Sequence, residues 1–367
     1  MYWQILKSRR PLGKRVKGLA AYARARRGAR IAWAWRFKQV FSSNPQLRAE
    51  PPGELLKQHM AVWSGFRRRV NLSDLKISAN GNDHCDPRIV PEEIFVADIE
   101  PTLNGRTDLS LLANKSLYYK LYDPTPFPKA FFHQINGRRY DLEFSPMDQR
   151  DLDRLLSALP YPVLSKPSRG TAGGVGVSIS HSPDHLRTQM AQHPDLVIQE
   201  IIQQDAFFKR FNRHGLNTIR VNLYRSVSDD SLKFLNCALR MGVGGSLDNE
   251  TDGGIVCHID DRGYLTGTAR DKFAVPFKCH PDTKLQFLEA IPHFTEMKEL
   301  ALLTGEQIPY GRLFSVDLCL DDSGHWRIIE INMHGQTIRF SQYAGIPFFG
   351  DHTEEVIEYC HASHWCI

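Results

Sequence analysis

The sequence predicts an α+β protein built on antiparallel sheet and preceded by a basic helical extension. Two observations carry this. From about residue 160 onward, β-branched and aromatic runs follow one another with only turns between several of them. That pattern marks directly joined strands rather than βαβ units. Residues 1–49, in contrast, hold 13 Lys and Arg and no Asp or Glu, in a 367-residue chain of 46 basic and 41 acidic residues and formal charge +5. The body after residue 49 is therefore mildly acidic, with 33 basic and 41 acidic residues.

Length allows two or three domains or one composite one. With 42% apolar and 24% charged residues, composition is that of a globular chain and excludes disorder, collagen and coiled coil for most of it. No uncharged apolar run approaches the ~18 residues of a membrane-spanning helix, and the basic start is not followed by a signal-type apolar segment. Seven scattered Cys, an odd number, suit reduced thiols and a cytoplasmic setting.

The leader mixes its charge with Tyr2, Trp3, Ile5, Leu6, Leu19, Tyr22, Ile31, Trp33, Trp35 and Phe37. Two readings stay open: an interfacial helix on an anionic membrane, peripheral on its inner face, or a helix packing its aromatics on the body. Asn44-Pro45 and Pro51-Pro52-Gly53 punctuate its end. Residues 54–69 read as a helix, and irregular chain follows to about Asp141. Leu152, Leu155, Leu156 and Leu159 share one face of a helix over Met147–Leu159. Strands are expected at Pro162–Lys166, Val175–Ser180, Leu196–Ile202, Thr218–Val227, Leu232–Val243, Gly254–Ile259, Arg312–Leu320 and Trp326–Asn332. Further helices are expected at Pro183–Gln192, Lys284–Leu303 and Thr353–His361.

Two segments carry chemistry. In Val163-Leu164-Ser165-Lys166-Pro167-Ser168-Arg169-Gly170-Thr171-Ala172-Gly173-Gly174-Val175-Gly176-Val177, a strand delivers a lysine to a glycine-rich loop. Glycines let backbone N–H groups curl around phosphate oxygens, and the lysine adds a point charge. The Gly-Lys-Ser/Thr order of a Walker loop is absent, and an ordinary glycine-rich hairpin is the competing reading. In the second segment, Phe314-Ser315-Val316-Asp317-Leu318 and Arg327-Ile328-Ile329-Glu330-Ile331-Asn332 flank the turn Asp321-Asp322-Ser323-Gly324. A hairpin would set Asp317 against Glu330. With the Asn332 amide they form a hard oxygen-donor set suited to Mg²⁺; the alternative is acids paired with Arg. The tail Cys360-His361-Ala362-Ser363-His364-Trp365-Cys366 fits no zinc spacing and is expected buried or frayed. His84-Cys85 and Cys279-His280 have no evident partners.

These features together resemble the ATP-grasp superfamily. Lys166 and its loop, with Gly170, Thr171, Gly173 and Gly174, look like the family's phosphate-covering loop. Val197-Ile198-Gln199-Glu200-Ile201-Ile202 resembles the hinge that reads adenine through backbone groups. Asn114-Lys115 is similar to the Asp-Lys pair holding the other nucleotide lysine, and Asp317, Glu330 and Asn332 match the metal triad. The resemblance sharpens to the sugar-transfer-associated branch through Glu93-Ile94-Phe95, Ile99-Glu100-Pro101-Thr102-Leu103-Asn104, Asn217-Thr218-Ile219-Arg220-Val221, Gly253-Gly254, His280-Pro281 and Glu330-Ile331-Asn332. Asn114 departs from the usual Asp, and after the Gln-Glu hinge no ribose-binding acid is fixed, Asp205 being a candidate. Residues 1–49 have no counterpart.

The resemblance implies two α+β subdomains gripping ATP, with residues 1–49 a leader, 50–145 an N-terminal subdomain, 146–204 the glycine-loop subdomain and 205–367 the catalytic one. It implies an ATP-dependent carboxylate–amine or carboxylate–thiol ligase acting through an acyl phosphate, in surface polysaccharide or peptide-modified glycan assembly. ATP would lie on Lys115, Lys166, Gln199, Glu200, Ile202 and Asp205, and two Mg²⁺ on the triad. Arg220 and Arg240 would face the acyl phosphate, and Asn249, Gly253 and Gly254 would shape the site for an amino acid or sugar acid. A phosphotransferase of the same fold is the rival enzyme. A nucleic-acid-binding protein led by the leader is the rival from another class, disfavoured by the acidic body and the lack of a base-reading module.

Overall fold

The computed structural model describes residues 2–67, 69–105, 107–169, 174–245 and 253–367. Two antiparallel sheets organise them. The smaller contains β1 (Ala130–Ile135), β2 (Arg138–Tyr140), β3 (Val163–Pro167), β4 (Ser178–Ser180) and β5 (Leu196–Gln199), in the order β2-β1-β5-β3-β4. The larger contains β6 (Thr218–Arg225), β7 (Leu232–Met241), β8 (Ile255–Ile259), β9 (Leu265–Arg270), β10 (Pro276–Phe277), β11 (Leu313–Leu320) and β12 (Trp326–Asn332), in the order β10-β9-β8-β7-β6-β11-β12.

In the small sheet, Phe132, Val163, Leu196 and Ile198 pack against Leu152 and Leu156 of the helix Gln149–Ala158 and Leu186 and Met190 of Pro183–Gln192. Alternation sends Leu164, Lys166 and Gln199 away from those helices, since Leu164 pairs with Gln199 and Lys166 with Val197. In the large sheet, Ile219, Val221, Leu223, Leu239, Phe314, Val316 and Leu318 share a core with Met297 and Ala301 of the helix Phe294–Glu306. Each such buried side chain contributes roughly 1.5–3 kcal/mol. The chain before β1 covers other parts of the large sheet. Trp63, Phe95, Ile99 and Leu103 meet Tyr224, Leu313, Phe348 and Val356 there.

Four expectations are corrected. The small sheet begins at Ala130, so a boundary at 145/146 would cut it; β1 and β2 belong with the glycine-loop subdomain. The helix expected over 54–69 spans Gly53–Trp63. Helix does not start at Lys284 either. Residues 286–291 lie along β9, where Leu265 and Gly267 donate to the carbonyls of Glu289 and Phe287, and the helix starts at Phe294 after Pro292. Finally, only Ser178–Ser180 of Val175–Ser180 is strand. Gly176 turns there with φ +78, and a Cβ would meet Pro167 Cγ at 2.7 Å.

The leader folds as α1 (Tyr2–Lys7) and α2 (Leu12–Ser43) and packs on the body. Phe37 and Val40 bury with Ile77, Ala274 and Tyr343. The anchor is Asp98, fully buried. Tyr22 Oη donates to its Oδ1 at 2.6 Å, Arg67 Nη2 donates to Oδ2, and His364 Nε2 lies 3.2 Å from Oδ1. Asp98 sits in a π-helical turn, Phe95–Ile99. Downstream, Pro101 has no N–H to offer the carbonyl four residues back. That carbonyl, Ala97 O, instead accepts from Trp365 Nε1 at 3.0 Å. The Cys/His-rich tail is thus buried packing against the leader.

Burial pushes Asp98 up, but His364, Arg67 and Tyr22 together hold it below the usual carboxylate range. Its stabilisation is therefore present above the unfolded carboxylate pKa near ~4 and is lost as pH falls through the lower folded value. Asp98→Asn leaves Arg67 buried without its anion and is expected to cost about 3–5 kcal/mol in urea unfolding at pH 7. A loss below about 1 kcal/mol would show that the cluster is not the anchor of the leader and tail.

Candidate active site

Between the sheets lies a pocket of about 690 Å³. Its walls carry Lys115, Lys166, Gly174, Gln199, Glu200 and Ile202 from the small-sheet side. Thr218, Arg240, Asp317 and Glu330 come from the large one.

On the large sheet, β11 and β12 pair Asp317 directly with Glu330 and Ser315 with Asn332. Strict alternation would not do this, because Trp326 and Ile328 face the core and residue 330 would follow them. The register shifts instead: Leu318 pairs with Ile328 and Asp317 with Glu330. Ile329 is thus an extra residue, a β-bulge that turns Glu330 onto the face of Asp317 and returns Ile331 to the core.

Asp317 is buried and takes three guanidinium bonds. Arg220 Nε reaches Oδ1 at 2.7 Å, while Arg220 Nη2 at 2.7 Å and Arg240 Nη1 at 2.8 Å reach Oδ2. Burial alone would raise this carboxyl; Arg220 and then Arg240 bring it down to about 2. Lys115 Nζ donates to Glu330 Oε1 at 2.7 Å, and Lys115 N donates to Ser168 O at 2.8 Å. Asn114 caps this turn by accepting from Ser116 N. Lys166 Nζ donates across the pocket to Ile329 O at 3.2 Å. Burial, and then the Lys115 ammonium, push Lys166 from 10.5 down to about 8.

Gln199 ends β5, and its buried Oε1 has no partner among the described residues. Glu200 turns its carboxylate out of the hinge, accepting from Lys129 N at 2.7 Å and pairing with Arg327 at 3.1 Å. Asp205 is not brought to the pocket; it caps a short helix by accepting from Phe207 N. Lys209, Arg213 and His214 line the pocket in its place and were not expected; the basic run after the hinge was the available signal. Gly253 and Gly254 lead into β8. Gly170, Thr171, Gly173 and Asn249 lie outside the described residues.

For Mg²⁺, Asp317, Glu330 and Asn332 offer oxygen donors on one face of the hairpin, and Asn332 Nδ2 is buried without a partner among the described residues. No group of three or more His, Cys, Asp or Glu among the described residues is placed to hold a metal unaided. Asp317 is paired with Arg220 and Arg240 and Glu330 with Lys115, the alternative that the sequence left open, so a cation here would need phosphate oxygens beside those of the triad.

Residues 183–352 match the family model described as sugar-transfer associated ATP-grasp. The resemblance seen in the sequence is shown over that span, which holds β5 to β12, and the α+β plan of antiparallel sheets is as expected. Among solved structures, the chain is similar to VanG D-Ala:D-Ser ligase from Enterococcus faecalis (12% identity, 68% of this chain and 62% of that one, TM-score 0.42). It is similar to D-alanine–D-alanine ligase from Bacillus anthracis complexed with ATP (14%, 68% and 66%, 0.39). It is also similar to an ADP complex of purK, N5-carboxyaminoimidazole ribonucleotide synthetase (14%, 64% and 51%, 0.38). The chain spans about half to two thirds of these structures. Among curated proteins no match was found.

The lowered Lys166 yields a signed prediction. Below pH 8 the lysine is charged in both folded and unfolded chains, and the folded state bears the whole cost of burying it, roughly 3 kcal/mol for a drop from 10.5 to about 8. Between 8 and 10.5 the folded lysine is neutral while the unfolded one is charged, so stability rises with pH. Lys166→Met should raise urea stability of the nucleotide-free protein at pH 7 by about 2 kcal/mol, with the gain shrinking at pH 10. A destabilised variant at pH 7 would contradict the buried, strained ammonium.

Proposed function

We propose that the chain is an ATP-dependent carboxylate–amine (or carboxylate–thiol) ligase. It forms an acyl phosphate and serves surface polysaccharide or peptide-modified glycan assembly. The observation that carries this is the convergence, on one pocket, of two buried lysines from the small-sheet side with Asp317, Glu330 and Arg240 from the large sheet, Arg220 being bonded to Asp317 and Asn332 sharing the strand face of Glu330.

Phosphoryl transfer needs charge neutralisation and alignment more than covalent help. Lys115 and Lys166 hold the nucleotide phosphates. The backbone from Gln199 through Ile202, which lines the pocket, would read an adenine edge, and Lys209 and Arg213 add positive charge to the lining. Asp317, Glu330 and Asn332 would hold Mg²⁺, which neutralises phosphate charge when bound. Arg240, which lines the pocket, would meet the reacting acid and its phosphate, and Arg220, its Nε and Nη2 taken by Asp317, would add positive charge behind it. The acid's oxygen attacks the γ-phosphorus and ADP leaves. An amine or thiol then displaces phosphate. Residues 246–252, next to Arg240 in the chain, include Asn249, the proposed substrate contact. No helix among the described residues is long and apolar enough to cross a membrane. The enzyme is proposed to be cytoplasmic, and the exposed Ile31 and Trp35 with the leader's basic residues would let it touch anionic surfaces.

The test is an ATPase screen across amino acids and uronic sugars with mass spectrometry of products. The accepted acid should yield ADP and phosphate, and hydroxylamine should trap the acyl phosphate as a hydroxamate. Glu330→Gln, which neutralises one proposed metal ligand, should keep the fold and lower turnover by about two orders of magnitude or more. Stoichiometric AMP would refute the mechanism, and a phosphorylated product without ligation would favour a phosphotransferase.

A further inference from the structure

Away from the pocket between the sheets, the leader and the body enclose a second cleft of about 1110 Å³. One wall is α2, which contributes Ala23, Arg26, Arg27, Arg30 and Ala34. These recur every three or four residues and so occupy one helical face. The opposite wall is the turn after α3 (Gly53–Trp63), with Arg67, Arg69 and Val70, and Tyr2 and Phe66 add aromatic surface.

The charge in this cleft is unbalanced. Five arginines face one acid, Glu93, whose Oε1 already accepts from Asn71 Nδ2 at 2.6 Å. Arg67 is committed to Asp98, and Arg26 is held over the rings of Tyr2 and Tyr22 at 5.2 and 5.7 Å. Arg27, Arg30 and Arg69 are exposed and make no ion pair among the described residues. Like charges gathered across a cleft repel, and the small Ala23 and Ala34 leave the space between them open. A polyanion would relieve the repulsion. Guanidinium forks match phosphate oxygens bidentately. Forks on two facing walls suit an anion long enough to reach both, which a single phosphate is not.

We propose that this cleft binds a diphosphate ester, its phosphates bridging Arg27 and Arg30 on α2 to Arg69 on the opposite wall and its organic part lying against Tyr2, Phe66 and Val70. The site is separate from the ATP pocket and does not depend on the ligase reading.

The test is calorimetry at low salt on the full chain, with saturating MgADP to occupy the ATP pocket. The probes are inorganic pyrophosphate, inorganic phosphate, and vesicles of phosphatidylglycerol or phosphatidylcholine. The wild type should bind pyrophosphate at least about tenfold more tightly than phosphate. Arg30→Ser and Arg69→Ser, exposed and on opposite walls, should each weaken it by about tenfold, the worth of one charge-assisted hydrogen-bonded contact. Thermal melts that match wild type without ligand show that the variants fold. Equal affinity in wild type and both variants, or equal affinity for phosphate and pyrophosphate, would overturn the proposal. Binding to phosphatidylglycerol vesicles that is lost in the variants, without any pyrophosphate binding, would overturn it in favour of a membrane-contacting surface.

Discussion

The bulge at Ile329 is the constraint on which the site's geometry rests. A strand that alternates strictly would send Glu330 after Trp326 and Ile328 into the core beneath the helix Phe294–Glu306, where a carboxylate has no cation to meet. One extra residue reverses the face. Glu330 then stands opposite Asp317, and the same distortion frees Ile329 O to accept from Lys166 of the other sheet. The two sheets are therefore linked at the point where their charged residues meet. Tyr118 reinforces the irregular edge, with Ile331 N donating to its Oη at 2.9 Å.

Much of this arrangement was legible. The hairpin around Asp321–Gly324, the placing of Lys166 at a strand end and the antiparallel plan all follow from alternation and turn residues. The bulge did not, because Trp326-Arg327-Ile328-Ile329-Glu330-Ile331 satisfies alternation in either of two registers, and only the partner strand chooses. The first two strands of the small sheet are a different case. Asn136-Gly137 between Ala130–Ile135 and Arg138–Tyr140 is a hairpin signal, and both residues do take positive φ, 49° and 76°. Surrounding Asn, Asp and Pro made the region read as irregular. The Asp205 assignment shows the opposite limit. An acid near the hinge is visible in sequence, but whether it faces a ligand or caps a helix depends on one turn of backbone.

The leader could not be decided from its own periodicity, since an aromatic, basic helix has the same pattern on lipid as on protein. What decides the packing is outside it. Asp98, in a π-helical turn, is an acid that burial forbids to stand alone, and the leader supplies Tyr22 while the chain beyond α3 supplies Arg67 and the tail His364. Pro101 compels the neighbouring carbonyl to find Trp365. Packing uses only part of α2's surface, however, and Arg27 and Arg30, left on the cleft face, make no ion pair among the described residues. Fixing the helix on the body is thus what concentrates that charge in one place.

The nucleotide-free pocket satisfies its own charges: Asp317 with two arginines, Glu330 with Lys115, Lys166 with a backbone carbonyl. Each arrangement avoids an uncompensated buried ion, but they are unequal. Asp317 is held by three short bonds and by the strand ladder around it, so the two guanidinium planes stay fixed whatever enters. Lys115–Glu330 is a single contact between flexible side chains, and Lys166 meets only a neutral oxygen, with burial and Lys115 both working against its charge. A phosphate chain entering here would replace the weakest of these partners first. It gives Lys166 an anion within hydrogen-bond reach and relieves its repulsion with Lys115. It can also draw Lys115 from Glu330, leaving that carboxylate free for a cation that arrives with the phosphates. The site thus divides into a rigid half, Asp317 with its two arginines, and a half, Lys115, Lys166 and Glu330, whose single contacts can exchange partners.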